Sequence, residues 1–138
     1  MSHITASQFT DRFVTLALAG RELPKKQLDR HIVLISSILK IQPGRQHSEK
    51  EINEELQIWI IHFGRIFDLD HVTLRRYLVD EKYLMRGPAG GTYELAADGQ
   101  PYTFDESIRE VDLVKLVADA RQARELKKQQ YLKSSQSK

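Results

Sequence analysis

Asp70-His71-Val72-Thr73-Leu74-Arg75-Arg76-Tyr77-Leu78, then Tyr83-Leu84-Met85-Arg86, then Gly90-Gly91-Thr92-Tyr93-Glu94-Leu95, has the pattern of a helix followed by two short strands. Asp70 is a residue type that caps free backbone N–H groups, so a helix is expected to begin there. Leu74 and Leu78 lie one turn apart and are expected to point inward, with Tyr77 bordering that face. Arg75 and Arg76 are expected to project away from it or along its edge. Residues 83–86 and 92–95 read as two short strands. Gly87-Pro88-Ala89-Gly90-Gly91 joins them as a loose hairpin.

Upstream, Ser48-Glu49-Lys50-Glu51 is a helix start in which Ser48 caps and Glu51 reaches back. Ile52, Leu56, Trp59, Ile60 and Phe63 then mark a buried face, with Gly64 placed to end or bend the helix. Arg45-Gln46-His47 is short enough for a brief strand. Leu23-Pro24-Lys25-Lys26 opens an earlier helix, since proline suits a first turn. Leu28, Ile32, Ile35 and Leu39 follow at helical spacing, widened by Leu34 and Ile38, so this helix is expected to be central. Pro43-Gly44 ends it. Further out, Thr5 and Gln8 suggest a capping box before Phe9, Phe13 and Leu16, and Gly20 is a stop. Downstream, residues 96–106 read as a polar loop. Ser107 and Glu110 suggest another capping box, followed by a long helix.

The order over residues 24–95 is therefore helix, short strand, helix, helix, hairpin. That is the order of a winged helix-turn-helix, in which the third helix enters the major groove beside the hairpin. The expected class is α-rich α+β. An N-terminal helix occupies residues 1–22 and the winged-helix domain residues 23–95. A loop at 96–106, a C-terminal helix at 107–132 and a disordered tail at 133–138 complete the expectation.

Apolar residues make up 41% of the 138, enough for one core. No apolar run approaches the ~18 residues of a membrane span, and no secretion signal precedes the first helix. There is no cysteine, which excludes disulfides and thiolate chemistry and fits a reducing cytoplasm. The net charge of +2 is unevenly spread. Residues 21–50 carry seven bases against three acids, residues 101–120 two against five, and residues 121–138 six against one. Such asymmetry permits a polyanion partner without requiring one; solvated faces and a solubilising tail are the alternative.

Leu23-Pro24-Lys25-Lys26, Ser48-Glu49-Lys50-Glu51-Ile52-Asn53, Leu74-Arg75-Arg76-Tyr77-Leu78-Val79-Asp80 and Gly91-Thr92-Tyr93 together resemble the bacterial "domain of unknown function 2087" family. The resemblance spans roughly residues 20–95. Members resemble winged-helix transcription regulators, so the resemblance implies that fold and, through it, DNA binding.

Arg75 and Arg76 suit that role, because arginine binds phosphate or grips guanine with two hydrogen bonds. Asp80 stands against it, since Arg76 and Asp80 at i,i+4 make an ordinary helix ion pair. Residues 68–82 hold four acids and three bases, an unfavourable balance for a groove-inserted helix. Lys25, Lys26 and Arg30 lie near a helix N-terminus, where cations oppose the helix dipole. A phosphate partner would relieve them; a solvated turn is the alternative. With Arg45, His71, Thr73 and Arg86, these complete the candidate nucleic-acid-binding set. Asn53 is expected to tie its helix to neighbouring backbone. The five histidines lack zinc-helix spacing and are expected to be surface or half-buried.

No nucleophile setting and no phosphate loop is visible, so no catalysis, cofactor or metal is expected. Two functions compete. One is a DNA-binding transcriptional regulator contacting double-stranded DNA. The other is a non-catalytic protein-interaction or dimerisation module. In both, a cytoplasmic homo-oligomer through the terminal helices, away from membranes, is expected.

Overall fold

Side-chain caps set where several helices begin. The structure is a computed structural model that describes residues 2–136. Strand β1, Ser2–Ile4, leads into helix α1, Ala6–Ala19, where the Thr5 hydroxyl accepts from Gln8 N. Gly20, at φ +34°, closes α1 by donating its N–H to Leu16 O. Helix α2 is Gln27–Ser36, strand β2 is His47–Ser48 and helix α3 is Glu49–Trp59. The capping box at Ser48 and Glu51 forms in full, worth about 1 kcal/mol. A π-helical turn, Ile60–Gly64, continues α3 into the short helix α4, Arg65–Phe67. Helix α5 is His71–Asp80, capped by the Asp70 carboxylate on Thr73 N. Strands β3, Leu84–Arg86, and β4, Thr92–Leu95, form the hairpin. Strand β5, Tyr102–Phe104, a 3-10 turn, Glu106–Glu110, and helix α6, Leu113–Gln136, complete the chain.

The result is an α+β fold with two small sheets. β2, β4 and β3 form an antiparallel sheet in that spatial order, so the strand before α3 pairs with the second strand of the hairpin. β1 pairs in parallel with β5. α2 is the central helix, and every residue from His31 to Leu39 is buried. α1 covers it with Phe9, Phe13 and Ala17. Phe13 meets Phe63 edge-on, with ring centres 5.2 Å apart. Arg12 grips Asp29 with a two-bonded fork at 3.1 and 3.0 Å, tying α1 to α2. Trp59 donates its indole N–H to Ser36 Oγ at 2.9 Å, tying α3 to α2.

The turn between α3 and α5 depends on Gly64. A Cβ there would lie 2.7 Å from a methyl of Ile60 and 2.9 Å from the carbonyl of Leu69. Gly64 O also accepts from Leu69 N, closing the turn through left-handed Asp68. Glycine permits that close backbone approach.

Several expectations need correction. Residues 1–22 are not only a helix, because β1 precedes it. The loop 96–106 contains β5, whose pairing with β1 is long-range and leaves no local signature. The capping box of Ser107 and Glu110 does not form. The chain makes a 3-10 turn there, passes through extended Val111, and α6 starts only where Asp112 accepts from Lys115 N at 3.1 Å. The helix after Pro24 begins at Gln27, later than expected. Residues 133–136, expected to be disordered, continue α6; Ser137 and Lys138 lie outside the described residues. His31 and His47 are buried, not surface or half-buried, because each finds an internal hydrogen-bond partner.

Candidate functional site

Burial of Leu74 and Leu78 fixes the roll of α5. The same roll turns Val72, Arg75, Arg76 and Val79 toward the hairpin. Tyr93 and Arg86 face each other in register across β4 and β3. A cleft of about 290 Å³ lies between the two elements, lined by these six residues and Asp80. Three arginines and one aspartate thus border one depression.

The three arginines are not equivalent. Arg75 is held: Nη1 donates to Asn53 Oδ1 at 2.6 Å and to Glu49 Oε1 at 3.1 Å. Its guanidinium lies 5.4 Å from the Tyr93 ring centre, within cation–π range. It joins α5, α3 and β4, and its side chain is only 18% exposed. Arg76 and Arg86 are exposed and have no ion pair or hydrogen bond among the described residues. The expected Arg76–Asp80 pair does not form. The expected role of Asn53 is half met, since it ties helices together through a side chain and not through backbone.

Residues 21–95 match a family model described as an uncharacterized protein conserved in bacteria, DUF2087. The chain belongs to this family. No curated protein and no solved structure matches it.

The cleft lies wholly inside the DUF2087 segment. Of the nine residues expected to meet nucleic acid, only Arg75, Arg76 and Arg86 surround it. Thr73 and His71 sit half-buried on the first turn of α5. Arg30 stacks on Tyr77, 4.6 Å from its ring centre, and lies 3.8 Å from Glu81. That places the start of α2, with exposed Lys25 and Lys26, by the C-terminal end of α5. Arg45 pairs with Glu51 at 2.9 Å beside β2. Glu51 is held below the usual carboxylate range, first by the Ser48 N–H and then by Arg45. Tyr93, Val72 and Val79 were not among the expected site residues. Glu49 and Asn53, at i,i+4 on α3, were the available signal that an acceptor pair faces Arg75.

A second polar cluster of the DUF2087 segment is internal. His31 is fully buried, with Nδ1 2.6 Å from the Tyr83 hydroxyl. Burial pushes the Tyr83 phenol far above its ordinary range, so the hydroxyl keeps its proton in this hydrogen bond. Nε2 on the other side of the ring lies 3.5 Å from Glu81 Oε2 without hydrogen-bond geometry. Burial holds His31 below its ordinary value, against the pull of Glu81 and with the help of Arg30. Tyr102 of β5 covers the ring at 4.8 Å.

Among the described residues no group of histidine, aspartate and glutamate is arranged to hold a metal ion. No helix among them is long and apolar enough to cross a membrane.

Proposed function

We propose that residues 23–95 are a winged helix-turn-helix that binds duplex DNA, with α5 in the major groove and the β3–β4 hairpin as the wing. The observation that carries this is the pair Arg76 and Arg86, exposed and unpaired on either side of the cleft between α5 and the hairpin. Unpaired arginines on a helix and on an adjacent hairpin suit phosphate or base-edge contact. The element order supports the same reading: helix, strand, helix, helix, hairpin, with the lone strand added to the hairpin's second strand. Arg75 holds α5 at its angle to α3 and β4 and is not itself a reader of bases. Lys25 and Lys26 contact phosphates beside the C-terminal end of α5. The role is regulatory and non-catalytic.

Fluorescence anisotropy on labelled duplexes at several salt concentrations tests this. Wild type should bind with affinity that falls steeply with salt, because phosphate contacts release counterions. Arg76→Ala and Arg86→Ala should each weaken binding and, where the contact is to phosphate, flatten the salt slope by about one. Absence of binding tighter than about 100 µM at low salt would reject the reading.

A further inference from the structure

A groove of about 390 Å³ lies between the C-terminal end of α2, the end of α3 and the start of α6. Its floor is apolar, made by Leu39, Trp59, Phe63 and Leu113. Ile58 and Val114 form its sides and stay 55% and 41% exposed. Ile61, one turn from Ile58, is 78% exposed. A smaller depression of about 170 Å³ extends the groove along α6, sharing His62, Phe63 and Val114, with Arg121 at its far end. The rim is acidic: Glu55, Glu110 and Asp112 border it, against Lys40 alone among lysines and arginines. Lys40 is already engaged with the Arg109 carbonyl at 2.7 Å.

The same chain carries a segment of opposite character. Beyond Ala120, every residue of α6 up to Ser135 is exposed. Arg121, Arg124, Lys127, Lys128 and Lys133 lie there with Glu125 as the only acid. None of these cations has an ion pair among the described residues. Leu126, Tyr131 and Leu132 are 50%, 75% and 50% exposed. A helix of this length with no packed face is marginal in water, so it calls for a cover.

Beyond Arg121, which lines the extension, groove and segment cannot meet within one molecule. α6 is one continuous helix whose first residues build the groove wall. Leu126 and Leu132 are 13 and 19 residues beyond Leu113, about 20 and 28 Å along a straight helix. Only the α6 of another copy can bring its cationic end to the acidic rim. We infer that the outer half of α6 docks in the acidic-rimmed groove of a second copy of this chain, reciprocally, in a two-fold dimer. A two-fold axis makes both contacts identical and leaves no free end. This stands on surfaces outside the α5 cleft and does not depend on DNA binding.

Sedimentation of the full chain tests it. The chain has a mass of 16.0 kDa, and the dimer is twice that. Wild type at about 100 µM should sediment as dimer, more weakly at about 500 mM salt than at about 50 mM. A groove variant, Glu55→Lys with Glu110→Lys, and a tail variant, Lys127→Glu with Lys128→Glu, should each be monomeric. Mixed in equal amounts, they should form a heterodimer, because both exchanged contacts then regain opposite charge. All four tail and groove substitutions combined in one chain should restore the homodimer. Far-UV circular dichroism and a thermal melt confirm folding; if the groove variant unfolds, the tail variant carries the test, since its sites are fully exposed. A monomeric wild type overturns the inference. So do charge variants that stay dimeric, or a mixture that stays monomeric.

Discussion

Arg75→Ala should unfold the domain more readily, although Arg75 lies beside a surface cleft. Its guanidinium donates to Asn53 at 2.6 Å and to Glu49 at 3.1 Å and stacks on Tyr93. A hydrogen bond involving a charged group contributes about 1.5–3 kcal/mol. The cation–π contact on buried Tyr93 adds about 0.5–1 kcal/mol. The Glu49 pair adds little, because Glu49 is 48% exposed and water screens it. These contacts share one side chain and do not sum fully. A loss of about 2–3 kcal/mol is expected, or roughly 5–10 °C in Tm. Arg76→Ala, one residue on, removes an exposed and unpaired side chain and should stay within about 0.5 kcal/mol of wild type. Arg75→Lys should fall between, since it keeps the charge but loses the planar guanidinium over Tyr93. Urea titration of the three variants with wild type gives the answer. An Arg75→Ala midpoint matching that of Arg76→Ala would refute the clamp. Arg75 would then return to the pool of free cations facing a ligand.

Tyr83→Phe should cost about 1–3 kcal/mol in a thermal melt, because it strips the buried His31 Nδ1 of its hydrogen-bond partner; an unchanged Tm would show that the pair contributes nothing. Burial holds His31 below its ordinary value, so the unfolded chain binds a proton there that the folded chain does not. Stability from this group is therefore full above about pH 6.5 and lost as pH falls below it. The urea midpoint should drop between about pH 7.5 and 5.5, and His31→Gln should flatten that drop. Gly64→Ala should destabilise by about 1–3 kcal/mol, because the new methyl meets Ile60 and the Leu69 carbonyl; a neutral result by denaturant titration would mean that the turn relaxes freely.

The features legible in the sequence are those written locally. Ser48 with Glu51, Asp70 before Thr73, and Gly20 after α1 are cap signals completed within a few residues, and each forms. Leu74 and Leu78 gave the roll of α5 by spacing alone, which sent Arg76 outward. The features that escaped are decided by distant partners. Ser2–Ile4 is a strand because Tyr102–Phe104 lies beside it. Ser107 and Glu110 carry a capping signature, yet Ile108 is drawn into the core and the chain turns there instead. Arg75 looked freer than Arg76, for which Asp80 was the expected partner, because the acceptors of Arg75 lie on another helix. His31 looked like a surface or half-buried histidine, because its partner, Tyr83, is 52 residues away.

The pairing of β1 with β5 sets an order of events during synthesis. Ser2–Ile4 leaves the ribosome about a hundred residues before Tyr102–Phe104 does. Phe9 and Phe13 likewise emerge long before Phe63 and Phe67, the rings that Phe13 will meet. Strand β1 therefore travels unpaired while the residues between are made, although α1 can already lie against α2. Contacts this far apart in sequence form late, since a long loop must close first. Ser2–Ile4 is thus a strand whose edge waits for its partner, and its pairing is among the late contacts to form.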